Sequence, residues 1–325
     1  MVTQTNKRII EYINKHGQAT IKELVDYFAI SKQALFRHIN NLQAENKITK
    51  IGRPPKVYYF LKETQKKEEF YNIDKALKRY INENYLIITP AGERKDGWEG
   101  FVYWCERNNQ PVIKTAHEYK KTSDKYKVWQ KEGLINGLNK IKNTFKKNYL
   151  NYLFYLDFYS IERFGKTKLG QLLLYAKQSQ NKKIIKELIL AIKPKIEHII
   201  KKYKIDGVGF IPPTVKREVQ FMKELENNLS LKIKKINIAK IKTEISVPQK
   251  TLSKLSDRIE NAKKTIILEE KSFYKNILLI DDAVGSGATL NETAGQVRKK
   301  KICSGKIVGL AITGSYKGFD IISEI

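Results

Sequence analysis

Apolar residues recur at helical spacing in three successive stretches at the start of the chain. The first, Thr5 to His16, puts Ile9, Ile10 and Ile13 on one face and stops at Gly17. The second follows Thr20, an N-cap residue with Glu23 three positions on in capping-box spacing, and presents Ile21, Leu24, Val25 and Phe28. After Ala29 and Ile30, Ser31 is placed to cap a third helix with Leu35, Ile39 and Leu42 inward. The other face of that helix carries Lys32, Gln33, Arg37 and Asn40, residue types that bond base edges and phosphates. Lys47 to Lys50 and Lys56 to Leu61 then predict two strands, joined at Gly52-Arg53-Pro54-Pro55 with Arg53 and Lys56 at a basic tip.

Three helices followed by a basic strand pair, over residues 1–62, resemble a winged helix-turn-helix domain. The resemblance implies duplex DNA as partner, with Lys32, Gln33 and Arg37 in the major groove and Arg53 and Lys56 on the wing. A tip arginine suits a narrow minor groove. Winged helices also serve as protein–protein modules, but the outward Lys/Gln/Arg set and the basic tip favour DNA.

Residues 63–150 read as a linker and a middle region of unassigned type. Glu63 to Glu69 is charged; helical spacing resumes at Ile73, Leu77, Tyr80 and Ile81. Tyr85 to Thr89 and Phe101 to Cys105 predict strands, and Trp98, Tyr103, Trp104 and Trp129 an aromatic cluster, more simply core than a base-stacking platform. A basic helix is expected over Lys131 to Lys147, with Leu134, Leu138, Ile141 and Phe145 inward.

From residue 151 to 325 strands alternate with helices, which predicts an α/β fold with a mainly parallel sheet. Strands are expected at Leu153 to Tyr159, Val208 to Ile211 and Lys232 to Ile236. Helices are expected at Leu169 to Gln178, Ile184 to Lys202 (with Pro194 a kink or break) and Arg217 to Leu229. The clearest strand, Asn276 to Ile280, runs into Asp281-Asp282-Ala283-Val284-Gly285-Ser286-Gly287-Ala288-Thr289, and a helix follows from Leu290 to Lys301. Carboxylates at the end of a buried parallel strand stand where open α/β sheets bind ligands. A glycine turn lets backbone N–H groups close on an anion, and the helix N-terminus adds positive potential. Hydroxyls facing carboxylates and phosphate facing N–H groups describe a ribose 5-phosphate. A P-loop requires a lysine that does not follow Gly287, and a dinucleotide fingerprint requires glycine where Leu290 stands.

The segment closely resembles the signature of type I phosphoribosyltransferases: an apolar strand, two acids and a Ser-Gly-Ala-Thr turn. The resemblance implies that Asp281 and Asp282 are the catalytic-site carboxylates and meet the ribose 2′- and 3′-hydroxyls. Val284, Gly285, Ser286, Gly287, Ala288 and Thr289 would hold the 5′-phosphate of phosphoribosyl pyrophosphate. It further implies Mg²⁺ bound through the ligand, with no metal held by protein side chains alone. Lys242-Thr243, Pro248-Gln249, Leu252, Arg258 and Asn261 resemble the ComF (competence protein F) branch, in which Lys242, Gln249, Arg258 and Asn261 would belong to a closing loop. Ile211 to Arg217 is similar to that branch's pyrophosphate loop, with Pro212, Pro213, Thr214, Lys216 and Arg217 as the facing residues. ComF proteins usually begin with a cysteine-rich zinc module; this chain has only Cys105 and Cys303, so no zinc role carries over.

Charge adds one thing. With 62 Lys and Arg against 34 acids the chain carries +28, a field that attracts polyanions, nucleic acid first among them. No apolar run approaches the ~20 residues that span a bilayer, and Met1 to Arg8 lacks a signal-peptide stretch, so a cytoplasmic protein without membrane contact is expected. A homodimer is compatible with the pattern. Three functions remain open on sequence: a DNA-associated phosphoribosyltransferase, a transcription regulator sensing phosphoribosyl pyrophosphate or a nucleotide, and a nucleotide-targeting effector of a mobile-element or phage-defence system.

Overall fold

Capping, glycine turns and strand registers place each element in the computed structural model, which describes residues 4–62, 71–213, 215, 217–241, 243–245 and 247–315. For Arg53 and Lys250 only the backbone is described. The chain divides into two compact units, Met1–Tyr71 and Asn72–Ile325.

In the first unit, α1 (Gln4–His16), α2 (Ile21–Phe28) and α3 (Lys32–Ala44) precede β1 (Ile48–Arg53) and β2 (Lys56–Leu61). The capping box forms in both directions: the Thr20 N–H donates to Glu23 Oε2 at 2.7 Å, and the Glu23 N–H to Thr20 Oγ1 at 3.2 Å. Ala29 ends α2 in the left-handed region, and Ser31 Oγ accepts the Ala34 N–H at 3.2 Å to start α3. β1 and β2 pair antiparallel from Ile48↔Leu61 to Arg53↔Lys56. Ala19 and Tyr59 exchange two backbone hydrogen bonds of 2.9 and 2.8 Å, tying the turn after α1 to the wing. Ile9, Ile13, Leu24, Leu35, Ile39, Leu42, Ile48 and Tyr59 form the core beneath. These are the apolar positions of the periodic pattern, and their burial is the main stabilising contribution.

The second unit opens with α4 (Lys75–Asn84), the antiparallel pair β3 (Leu86–Ile88) and β4 (Arg94–Asp96), α5 (Gly97–Arg107) and α6 (Val112–Lys127). The strand expected at Phe101 to Cys105 is instead the centre of α5. Phe101 and Cys105, four residues apart, are its buried pair, so the run has helical rather than alternating period. Nor do the four aromatics form one cluster. Phe101 is the hub, meeting Tyr85, Trp98, Trp104 and Tyr119 at centroid distances of 5.2 to 6.4 Å, while Trp129 is exposed.

The expected basic helix over 131–147 is also corrected. Glu132 and Gly133 both take positive φ, 51° and 73°, and turn a hairpin between β5 (Gln130–Lys131) and β6 (Leu134–Asn136). Only the short α7 (Leu138–Thr144) is helical.

The remaining elements are β7 (Tyr152–Phe158), α8 (Lys168–Gln178), α9 (Lys182–Tyr203), β8 (Gly207–Phe210), α10 (Phe221–Leu229), β9 (Lys234–Ile236), β10 (Ile238–Lys240), α11 (Leu255–Thr265), β11 (Ile266–Leu268), β12 (Ile277–Val284), α12 (Ala288–Lys299) and β13 (Ile307–Gly314). α9 runs unbroken through Pro194. α10 begins four residues later than Arg217, because the Val219 N–H is bonded to Gln180 Oε1, just past the end of α8, at 2.6 Å.

A seven-stranded sheet of order β5-β6-β7-β13-β12-β8-β9 organises this unit, parallel from β7 to β9 with the β5–β6 hairpin antiparallel at one edge. The fold is therefore α/β with a mainly parallel sheet, as the alternation predicts. β5 and β6 precede residue 151, so the sheet does not begin at the expected 150/151 boundary: Ile135 and Asn136 pair with Tyr155 and Phe154. A core of α8, α9 and α10 side chains covers Leu278, Ile280, Val308, Leu310 and Ile312. Among the described residues no helix is long and apolar enough to cross a membrane.

Candidate functional site

β12 is central in the sheet and wholly buried from Ile277 to Ile280. It does not end at Ile280; Asp281 and Asp282 are still strand residues, and Asp281 pairs with Ala311 of β13. Beyond Val284 the chain turns through Gly285, Ser286 and Gly287 into the 12-residue α12. Gly287 has φ +82°, and a Cβ there would lie 2.1 Å from Ile141 Cδ1, so α7 packs directly against this turn. Ser286 is buried and its Oγ accepts the Ala288 N–H at 3.3 Å. Asn291, one turn into α12, is held by the Tyr149 N–H at 3.0 Å and donates to the Lys147 carbonyl at 3.0 Å. The turn is thus fixed from below by residues 141–149.

A cleft of about 240 Å³ opens over the turn and the two carboxylates. Asp282 forms an ion pair with Lys177, at the end of α8, at 2.7 Å. The Asp281 carboxyl accepts the Asp282 N–H at 2.8 Å, yet burial, and then the adjacent Asp282 charge, raise its pKa above the ordinary carboxylate range. Lys240, from β10, faces the same cleft; burial lowers its pKa and the Asp281 charge opposes that shift. Arg217 donates to the Lys177 carbonyl. Arg258, buried in α11, donates from Nε to the Leu252 carbonyl at 2.6 Å. Gln249 joins the two by donating to the Arg258 carbonyl at 2.9 Å and to Asn261 Oδ1 at 3.3 Å. Two carboxylates and a ring of cations face an anion-favouring turn, a site suited to a polyhydroxylated phosphate ester.

Of the residues singled out in sequence, Asp281, Asp282, Val284 to Thr289, Pro212, Pro213, Arg217, Gln249 and Arg258 line this cleft. Asn261 does not; it sits behind Gln249 and also donates to the Val247 carbonyl at 3.4 Å. Thr214, Lys216 and Lys242 lie outside the described residues, as does the stretch Glu63 to Glu69. Lys177 and Lys240 also line the cleft, and in a chain this rich in lysine no sequence signal distinguishes them. Among the described residues no three or more His, Cys, Asp or Glu side chains gather where they could hold a metal ion.

In the first unit Lys32, Gln33, Arg37 and Asn40 are all exposed on α3, and Lys56 is exposed at the start of β2. The Arg53 backbone pairs with Lys56 at the wing tip, and its side chain is not described. His38 Nδ1 and Asn6 Oδ1 meet at 2.6 Å, fixing α3 against α1. A helix docked by its apolar face with a polar row outward is how helix-turn-helix domains present a recognition helix.

No curated protein matches the sequence. Residues 6–52, which run from α1 into β1, match the DeoR-like helix-turn-helix domain.

Proposed function

We propose that this chain is a DNA-binding protein whose second unit takes phosphoribosyl pyrophosphate or a nucleotide in the cleft over Asp281 and Asp282. One observation carries the reading: adjacent carboxylates stand in the last half of an interior parallel strand, which two residues later enters a glycine turn and a helix N-terminus. In this proposal the ribose hydroxyls donate to Asp281 and Asp282, and the 5′-phosphate receives N–H groups from Gly285 to Thr289 with the Ser286 and Thr289 hydroxyls. Lys177, Arg217, Lys240 and Arg258 balance the pyrophosphate charge; by resemblance Thr214, Lys216 and Lys242 join them. Mg²⁺, arriving on the ligand, would neutralise phosphate charge beside the two carboxylates. α3 enters the major groove of duplex DNA with Lys32, Gln33, Arg37 and Asn40, and Arg53 and Lys56 contact it from the wing.

The match to a DeoR-like helix-turn-helix domain favours regulation, in which the bound ligand changes DNA affinity. Transfer of the phosphoribosyl group to a nitrogen nucleophile is the second reading. It is supported by Arg217 and Arg258 facing the same cleft as the carboxylates, an arrangement suited to a departing pyrophosphate.

Calorimetric titration with phosphoribosyl pyrophosphate and Mg²⁺ tests the cleft, and fluorescence anisotropy on duplex DNA with and without that ligand tests the coupling. Binding should disappear in the Asp281→Ala, Asp282→Ala double variant while DNA affinity persists. Release of pyrophosphate by the native protein would select transfer; a ligand-dependent shift in DNA affinity without release would select regulation. Failure of phosphoribosyl pyrophosphate and nucleoside monophosphates alike to bind removes the proposal.

A further inference from the structure

A second cavity, of about 360 Å³, lies in the same unit and shares no lining residue with the first. Its size is within the range of small-molecule sites, roughly 300–1,000 Å³. Most of its walls come from α6, α8, α9 and the end of β7, and Ile135, Leu172 and Ile192 form an apolar patch within a lining of mixed polar and apolar character.

Two charges stand inside it. Asp157, near the end of β7, accepts the N–H of Phe158 at 2.8 Å. Lys195, on α9, donates to the Leu156 carbonyl at 3.3 Å. Among the described residues neither forms an ion pair, with the other or with any further side chain. Charges at the mouth are differently served: Glu83 pairs with Arg79 at 3.0 Å, Lys168 donates to the Glu83 carbonyl at 3.0 Å, and Lys127 lies 4.3 Å from the Tyr80 ring centroid.

Burial acts on both inner charges in the same sense. It pushes the Asp157 carboxyl up to about 6, against the Phe158 N–H, the attraction of Lys195, the Thr167 side chain and the Lys127 charge, and it lowers the Lys195 ammonium against the attraction of Asp157. Both charges are held against the cost of burial, and such groups in a cavity are candidates for a ligand site. A ligand of one sign would relieve one group and burden the other. A ligand carrying both signs on neighbouring atoms, with an apolar remainder, relieves both and covers the apolar wall.

We propose that this cavity binds a free α-amino acid with an apolar side chain. Its ammonium would meet Asp157, its carboxylate Lys195, and its side chain the wall of Ile135, Leu172 and Ile192. The site stands apart from the phosphoribosyl cleft and does not depend on that reading.

The test is calorimetric titration of the full chain with L-leucine, L-methionine and L-phenylalanine, each beside its N-acetyl and its carboxamide derivative. At least one amino acid should bind with Kd below about 1 mM. Blocking either end should weaken it about tenfold or more, since one charge-assisted bond is lost. Asp157→Asn and Lys195→Met should each do the same. If either variant fails to fold, the comparison with blocked derivatives decides on the native protein alone. Equal binding of the blocked derivatives, no binding of any of the three amino acids, or Asp157-dependent binding of adenine or hypoxanthine instead would each overturn the proposal.

Discussion

Replacing Gly287 by alanine tests the construction of the glycine turn between β12 and α12 most directly. Two costs are separable. The residue sits at φ +82°, where a Cβ is strained by about 1–2 kcal/mol. The new Cβ would also lie 2.1 Å from Ile141 Cδ1, and forcing an extra methyl into a filled space costs about 1–3 kcal/mol. Together they amount to roughly 2–5 kcal/mol, which in a unit of this size lowers Tm by about 5–15 °C. All three tryptophans, Trp98, Trp104 and Trp129, belong to the second unit, so their fluorescence follows its melting without interference from the first. Ile141→Val removes the Cδ1 atom at a cost of about 0.5–1.5 kcal/mol and leaves no other Ile141 atom nearer than 3.5 Å. In that background Gly287→Ala should retain only the backbone strain, and the double-mutant cycle should show a coupling of about 1–3 kcal/mol. An equal cost of Gly287→Ala in both backgrounds would refute the contact between α7 and the turn.

Asp281 gives a pH-dependent outcome. Its folded pKa is raised, so the stability linked to it is present in acid and lost as pH rises from the carboxylate range toward neutrality. Asp281→Asn should therefore raise Tm at pH 8 more than at pH 5, as scanning calorimetry can measure. Thr20→Ala removes the capping box and should cost the first unit about 0.5–2 kcal/mol in urea unfolding followed by circular dichroism. Arg37→Ala, altering an exposed residue of α3, should weaken duplex DNA binding with little loss of stability. It should also reduce the slope of log K against log[salt] by about 0.9 if one phosphate contact goes with it; an unchanged slope assigns Arg37 elsewhere.

The sequence was most legible where local chemistry and global position agree. Thr20, Glu23 and Ser31 announce helix starts by side-chain bonding to nearby backbone, and those bonds form. Ile277 to Ile280 is apolar throughout because β12 is buried on both faces there, which is how an interior parallel strand reads. The cleft residues from neighbouring loops were legible only in part, because a cation's role there depends on which elements the sheet brings together. Lys177 and Lys240 lie more than forty residues from Asp281 in sequence, and nothing in their local context differs from other lysines. Phe101 to Cys105 misled because five consecutive apolar or aromatic residues satisfy either period; the Phe101–Cys105 spacing toward Tyr119 settles it as a helix. Charge proved the least localising signal: residues 1–71 hold 13 Lys and Arg against 7 acids, and residues 72–325 hold 49 against 27. The surplus is spread in proportion to length and does not by itself point to α3.

The strand order carries a consequence for the timing of folding. β13, residues 307–314, is an interior strand, flanked by β7 on one side and β12 on the other. During synthesis the first unit, with its short-range contacts, can close while most of the chain is still unmade. The sheet cannot be completed then, because β5-β6-β7 on one side and β12-β8-β9 on the other have no strand to join them until Gly314 has emerged, some 150 residues after β7 itself. The helix-turn-helix therefore matures first and the cleft last, and a nascent chain stalled short of residue 307 would present a formed α3 beside an unformed cleft. Any coupling between the proposed DNA and ligand sites would then arise only after residue 314 has been made.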